Sequence, residues 1–97
     1  MAEWNLTSWI AEVEEYTNAE IRRMTEHAFQ RILARTPVRT GRLKAGWVLH
    51  YALNQGILEA TIINEVEYVL FVEYGTYKMA PRAMVEQTLR ELEEGLL

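Results

Sequence analysis

The two prolines of this 97-residue chain, Pro37 and Pro81, constrain its fold more than any other residues. Proline cannot continue a helix or a central strand, and it pushes the residue before it out of the helical region. Pro37 and Pro81 therefore cut the chain into three stretches. Each also lies in a short passage of turn-forming and charged residues: Thr36-Pro-Val-Arg-Thr-Gly-Arg-Leu43, and Tyr68-Val-Leu-Phe-Val-Glu-Tyr-Gly-Thr-Tyr-Lys-Met-Ala-Pro-Arg82. Both passages read as loops held in a fixed shape. Neither gathers an acid, a base and a nucleophile.

Before Pro37, Ile10, Val13, Ile21, Met24, Ala28 and Ile32 recur at helical spacing, Thr17 fills the missing step, and no glycine interrupts them. The pattern predicts one amphipathic helix over residues 8–35, capped by Thr7 or Ser8, with acids in its first half and Arg31 and Arg35 in its last turns. At 1.5 Å per residue such a helix is ~42 Å long, whereas a compact domain of this size is roughly 30–35 Å across. It must bend or project, and a projecting apolar stripe implies a partner.

Between the prolines, Trp47, Leu49, Tyr51 and Leu53 alternate with Val48, His50 and Ala52, and a second β-branched run spans Ile57 to Ile63. With Asn54-Gln55-Gly56 between them, these predict a β-hairpin over 46–63. Residues 68–74 suit a short helix or a strand; the spacing of Tyr68, Phe71 and Val72 favours the helix. Gly75 closes that element, 75–81 form a loop arm, and a C-terminal helix is expected over 82–94 with Pro81 at its first turn. The expected architecture is α+β in a single domain over 1–97: a long N-terminal helix and a small antiparallel sheet built on the hairpin, with the short element and the C-terminal helix packed on that sheet.

Composition narrows the function classes. The chain is 49% hydrophobic and 25% charged, ordinary for a globular domain, and no apolar run approaches membrane-spanning length. Its start lacks a basic, apolar leader pattern, so cytosolic synthesis without membrane contact is expected. Zero cysteines exclude disulfides and thiol catalysis. His27 lies between Arg23 and Arg31, which would repel a cation, and His50 sits on a strand face; both read as structural or solvent-facing. The glycines are scattered, with no phosphate-cradling run. Glu65, Glu67 and Glu73 read as a solvated acidic face, not a catalytic pair. No cofactor, no metal and no catalytic residue is expected.

The net charge of −4 hides an asymmetry. Residues 1–21 carry five glutamates and no base, whereas residues 22–44 carry seven bases against Glu26 alone. The block could attract phosphates. Pairing with acids along the helix or on a neighbouring subunit accounts for it more simply, with Glu20 and Glu26 near Arg22 and Arg23.

The order Thr36-Pro37-Val38-Arg39-Thr40-Gly41-Arg42-Leu43-Lys44, a hairpin, Asn64, then Tyr68-x-x-Phe71-Val72-Glu73-Tyr74-Gly75-Thr76 and Met79-Ala80-Pro81-Arg82 resembles the HK97 gp10 family of tailed-phage tail-component or neck proteins. The similarity spans residues 20 to 95, and Ala83-Met84 stands where the pattern leads one to expect an aromatic. The resemblance implies a non-enzymatic virion protein at the head-tail junction, made in the host cytoplasm. It would be a neck or tail-completion subunit in a homo-oligomeric ring on the DNA axis, beside head-closure or connector proteins and tail-terminator or tail-tube proteins. In that setting Tyr74, Gly75, Thr76, Lys78, Met79, Pro81 and Arg82 become a candidate subunit-contact arm. Arg31, Arg35, Arg39, Arg42 and Lys44 become candidates for facing double-stranded DNA or a neighbouring subunit. A tail-terminator ring is the alternative within this class, and a small DNA-binding regulator the alternative outside it.

Overall fold

The computed structural model describes residues 2–38 and 41–97. The architecture is α+β, a three-stranded antiparallel sheet with helices, as the sequence predicts. In chain order the elements are strand β1 (Ala2–Asn5), helices α1 (Asn18–Arg35) and α2 (Arg42–Ala45), strands β2 (Trp47–Asn54) and β3 (Ile57–Asn64), and helices α3 (Val69–Tyr74) and α4 (Met84–Glu93).

The N-terminal third departs from expectation. The helix predicted over 8–35 begins only at Asn18; residues 2–5 are a strand, and Thr7–Trp9 and Val13–Glu15 are short 3-10 turns. The reason is a capping box. Thr17 accepts from the Glu20 amide at 3.1 Å while the Glu20 carboxylate accepts from the Thr17 amide at 3.2 Å, which satisfies two first-turn donors and fixes the helix start. Ile10 and Val13 sit at helical spacing by coincidence. At 18 residues α1 is ~27 Å long, within the molecule's 43 Å longest dimension. The expected overhang does not exist.

The hairpin forms as predicted, in register from Trp47 opposite Asn64 to Asn54 opposite Ile57. Gln55 and Gly56 both have positive φ, 53° and 81°, the two-residue turn whose twist matches antiparallel strands. β1 pairs on the other side of β3, giving the order β1-β3-β2. β2 is thus an edge of eight residues with no charged side chain and no proline. A two-residue turn closes on a hydrogen-bonded pair, so the backbone groups of Leu53, Tyr51, Leu49 and Trp47 point away from β3.

Leu58, Ala60 and Ile62 of β3 and Trp47 of β2 are buried together with Ile21, Met24, Ala28 and Ile32 of α1. The leucine, isoleucine and methionine side chains among them each contribute ~1.5–3 kcal/mol by leaving water, the alanines less. The expected C-terminal helix also forms, although α4 lies mainly against α1 and the Thr7–Trp9 turn, and reaches the sheet layer through them. Its apolar side buries Met84, Val85, Leu89 and Leu92. Residues 69–74 are helical. No described helix is long and apolar enough to cross a membrane.

Candidate functional site: a groove between two loops

The two proline passages meet. Thr36 ends α1, returning its hydroxyl to the Ile32 carbonyl at 2.7 Å and accepting from Trp47 Nε1 at 2.9 Å. This buried pair pins the exit from α1 to the start of β2. After Gly41, at φ 75°, α2 carries Leu43 inward. Asn64, fully buried, then ties α2 to the turn after β3: its Nδ2 donates to the Leu43 carbonyl at 3.0 Å and its Oδ1 accepts from the Val66 amide at 2.9 Å. Gly46 packs so closely here that a Cβ would lie 2.9 Å from Asn64 Oδ1 and from Val66 Cγ2.

The second passage is just as constrained. Gly75 has φ 78°, and a Cβ on it would lie 2.7 Å from the Met79 carbonyl oxygen and 2.8 Å from the Pro81 nitrogen. The arm beyond it is therefore no free extension. Thr76 and Met79 exchange backbone hydrogen bonds at 2.8 and 3.2 Å, and the Arg82 and Ala83 amides donate back to the Val72 and Glu73 carbonyls.

Glu73 corrects the reading of an acidic solvent face. It is 1% exposed, and its two carboxylate oxygens accept from the Val85 and Glu86 amides at 2.9 Å each. Ala83, the residue before α4, is left-handed and gives no side-chain cap. A carboxylate from α3 therefore satisfies orphan donors at the start of α4 and suits the positive end of its dipole. Where an aromatic was expected at Ala83-Met84, Met84 is fully buried.

Between the passages runs a groove of about 610 Å³, lined by Pro37, Arg42, Leu43, Tyr68, Val72, Met79 and Arg82. Of the arm residues singled out from sequence, Met79 and Arg82 line it. Tyr74 does not: it faces the other flank of α3, beside Trp4 and Trp9. Gly75, Thr76 and Pro81 shape the arm, while Lys78 is exposed over the Tyr77 ring. Phe71 of α3, 58% exposed, and Tyr77 of the arm, 93% exposed, add apolar surface on the same two elements.

The basic block does not act as one surface. Arg31 donates to Glu91 Oε2 at 2.6 Å, and Arg35 lies 2.6 Å from Oε1 while donating to Thr88 at 2.7 Å. The Arg35 contact is short but poorly aligned, leaving Oε1 without a directed hydrogen bond. Arg35 first, then Arg31, hold the Glu91 carboxyl down to about 2 against the opposing effect of burial. Arg42 makes a two-pronged contact with Glu67 at 2.8 and 3.0 Å, which lowers the Glu67 pKa, and lies over the Tyr68 ring. Arg22 stacks on Tyr51 at 4.3 Å instead of pairing with a helix acid. Lys44 is half-buried on α2, and Arg39 lies outside the described residues.

Sequence reasoning missed β1 and the cap by Glu73. An acid inside the apolar run Val69 to Tyr74 was the available signal for the second, and Thr17-x-x-Glu20 was the signal that α1 starts late. Among the described residues, no group of three or more His, Cys, Asp or Glu is placed to hold a metal ion.

Searches of curated proteins and of solved structures gave no significant match. A family model described as "Bacteriophage HK97-gp10, putative tail-component" matches residues 5–75. The match starts earlier than the resemblance drawn from the motifs and stops before the Met79–Arg82 segment and α4. It takes in the whole first passage, the hairpin and α3, and covers more than half of the chain. The chain belongs to the HK97 gp10-like family of bacteriophage tail components.

Proposed function

We propose that the chain is a non-enzymatic ring subunit at the head-tail junction of a tailed phage, a neck or tail-completion protein surrounding the DNA channel. The observation that carries this reading is the groove. Two separate loop passages, each braced by hydrogen bonds, converge on one apolar cleft, and Phe71 and Tyr77 of the second passage face water. Rigid loops around an exposed apolar surface suit recognition of a protein neighbour. Membership of a tail-component family supplies the setting, the virion. A DNA-facing basic surface draws less support, because Glu91 already neutralises much of the charge of Arg31 and Arg35. The same pairing weakens the reading as a DNA-binding regulator.

The test is assembly. A Met79→Asp, Arg82→Glu double variant changes two exposed groove residues and should fold like the wild type by circular dichroism. It should fail to form rings and fail to restore tailed particles to a phage lacking the protein. Wild-type rings from this variant would refute the groove's role.

A further inference from the structure

The groove and the Glu12–Glu15 turn lie at opposite ends of the molecule, and their chemistry is complementary. The groove sits where α1 ends and β2 begins, joined by the Trp47–Thr36 hydrogen bond. At the other end, Asn18 at the start of α1 bonds Gly56 and Leu58 in the hairpin tip, and Val13 packs beside Asn54, Gln55 and Ile57. The eight residues of β2 put ~25 Å between the ends. One molecule cannot bring its own two ends together.

The far end carries Glu12, Glu14 and Glu15, all exposed and, among the described residues, without an ion pair. They surround half-buried Val13 and precede Tyr16, 36% exposed. Glu12 holds a left-handed backbone at φ 54°, a conformation that costs a non-glycine residue free energy. The groove is the inverse. Its floor is Pro37, Leu43, Val72 and Met79, and its rim holds Arg42 and Arg82, with Lys78 on the adjoining arm. Arg82 has no acid partner among the described residues. An apolar floor with a cationic rim calls for an apolar side chain flanked by carboxylates.

We infer that the groove of one copy receives the Glu12–Tyr16 turn of the next copy, with Tyr16 on the apolar floor and the glutamates against Arg82 and Lys78. A contact between two different surfaces of one chain is heterologous, and such contacts close into rings when the rotation allows. This inference rests on the ring reading and specifies which surfaces make it.

The chain has no cysteine, so engineered pairs report cleanly. A Glu14→Cys, Arg82→Cys variant, mildly oxidised at high concentration, should give a ladder of disulfide-linked dimers, trimers and larger species. Glu14→Cys or Arg82→Cys alone should stop at dimers. Raising salt to ~1 M, where screening acts within ~3 Å, should cut the ladder several-fold. A charge-swap mixture gives an independent arm. Glu12→Lys, Glu14→Lys, Glu15→Lys chains and Lys78→Glu, Arg82→Glu chains should each fail to cross-link alone through bifunctional reagents and should cross-link when mixed. A double-cysteine variant that yields no species beyond dimers, or a mixture no better than its components, overturns the pairing. Ring formation is read separately, by electron microscopy of particles containing the wild-type chain. Rings without a ladder refute only the choice of surfaces, and particles without rings of this chain refute the function itself.

Discussion

Replacing Glu73 with alanine should be the most damaging single polar substitution in the chain. The carboxylate accepts two hydrogen bonds of 2.9 Å from the Val85 and Glu86 amides, and no other side chain among the described residues caps α4, because Ala83 has no side-chain acceptor. Hydrogen bonds to a charged group contribute ~1.5–3 kcal/mol each, and a donor left buried and unsatisfied adds to the loss. Against this stands the desolvation of a carboxylate that is almost wholly buried, a cost the variant no longer bears. The net expectation for Glu73→Ala is a loss of about 3 kcal/mol. A domain of this size melts ~4–8 °C lower per kcal/mol, so thermal denaturation followed by circular dichroism should show a fall of about 15 °C. Glu73→Gln keeps one acceptor and the same shape, and should lose about half as much. Hydrogen exchange adds a local readout: the Val85 and Glu86 amides should lose protection in the alanine variant. A melting temperature within ~3 °C of wild type, with those amides still protected, would refute the argument.

Two further predictions concern the same framework. The Glu91 carboxyl is held at about 2, below its ordinary 4.5, by Arg35 and Arg31. A group depressed in the folded state stabilises above its unfolded pKa and loses that contribution as pH falls through the folded value. Urea midpoints should therefore fall between about pH 4.5 and 2 in the wild type, and this limb should flatten in Glu91→Gln; an unchanged acid limb would mean the pairing is not made in solution. Gly46→Ala should cost about 1–3 kcal/mol, although the Gly46 backbone, at φ −80°, suits alanine. The cause is the 2.9 Å approach to Asn64 and Val66, so a Gly46→Ala, Val66→Ala double variant should be less destabilised than the sum of the two single changes.

The parts of the fold written in local pattern were legible. Alternation gave the hairpin, Gly56 its turn, and helical spacing the buried side of α4. What was not legible depended on contacts distant in sequence or on one local signal overriding another. Ile10 and Val13 fit the periodicity of α1, but Thr17 and Glu20 close a capping box that makes Asn18 the better start. β1 is only four residues long and acquires its meaning from β3, some 60 positions away. Glu73 looked like one more acid because its partners are amides of a helix that begins eleven residues later. For the groove, the two passages could be marked as fixed loops from their prolines and glycines. That they face each other across Tyr68 and Val72 depends on Asn64 joining α2 to the turn after β3.

The bare outer side of β2 has a consequence for handling and timing. Sheet proteins that live as monomers shield such an edge with lysine, proline, a bulge or a covering element, and this strand has neither charge nor proline over eight residues. Its open amides and carbonyls offer a template to any extended peptide, including another molecule of the same chain. Net charge opposes that encounter only weakly, since the −4 lies elsewhere on the surface. In concentrated solution this strand is therefore one site at which copies would be expected to associate. A cell making this protein in excess of the particles able to take it up risks precipitating the surplus along that edge.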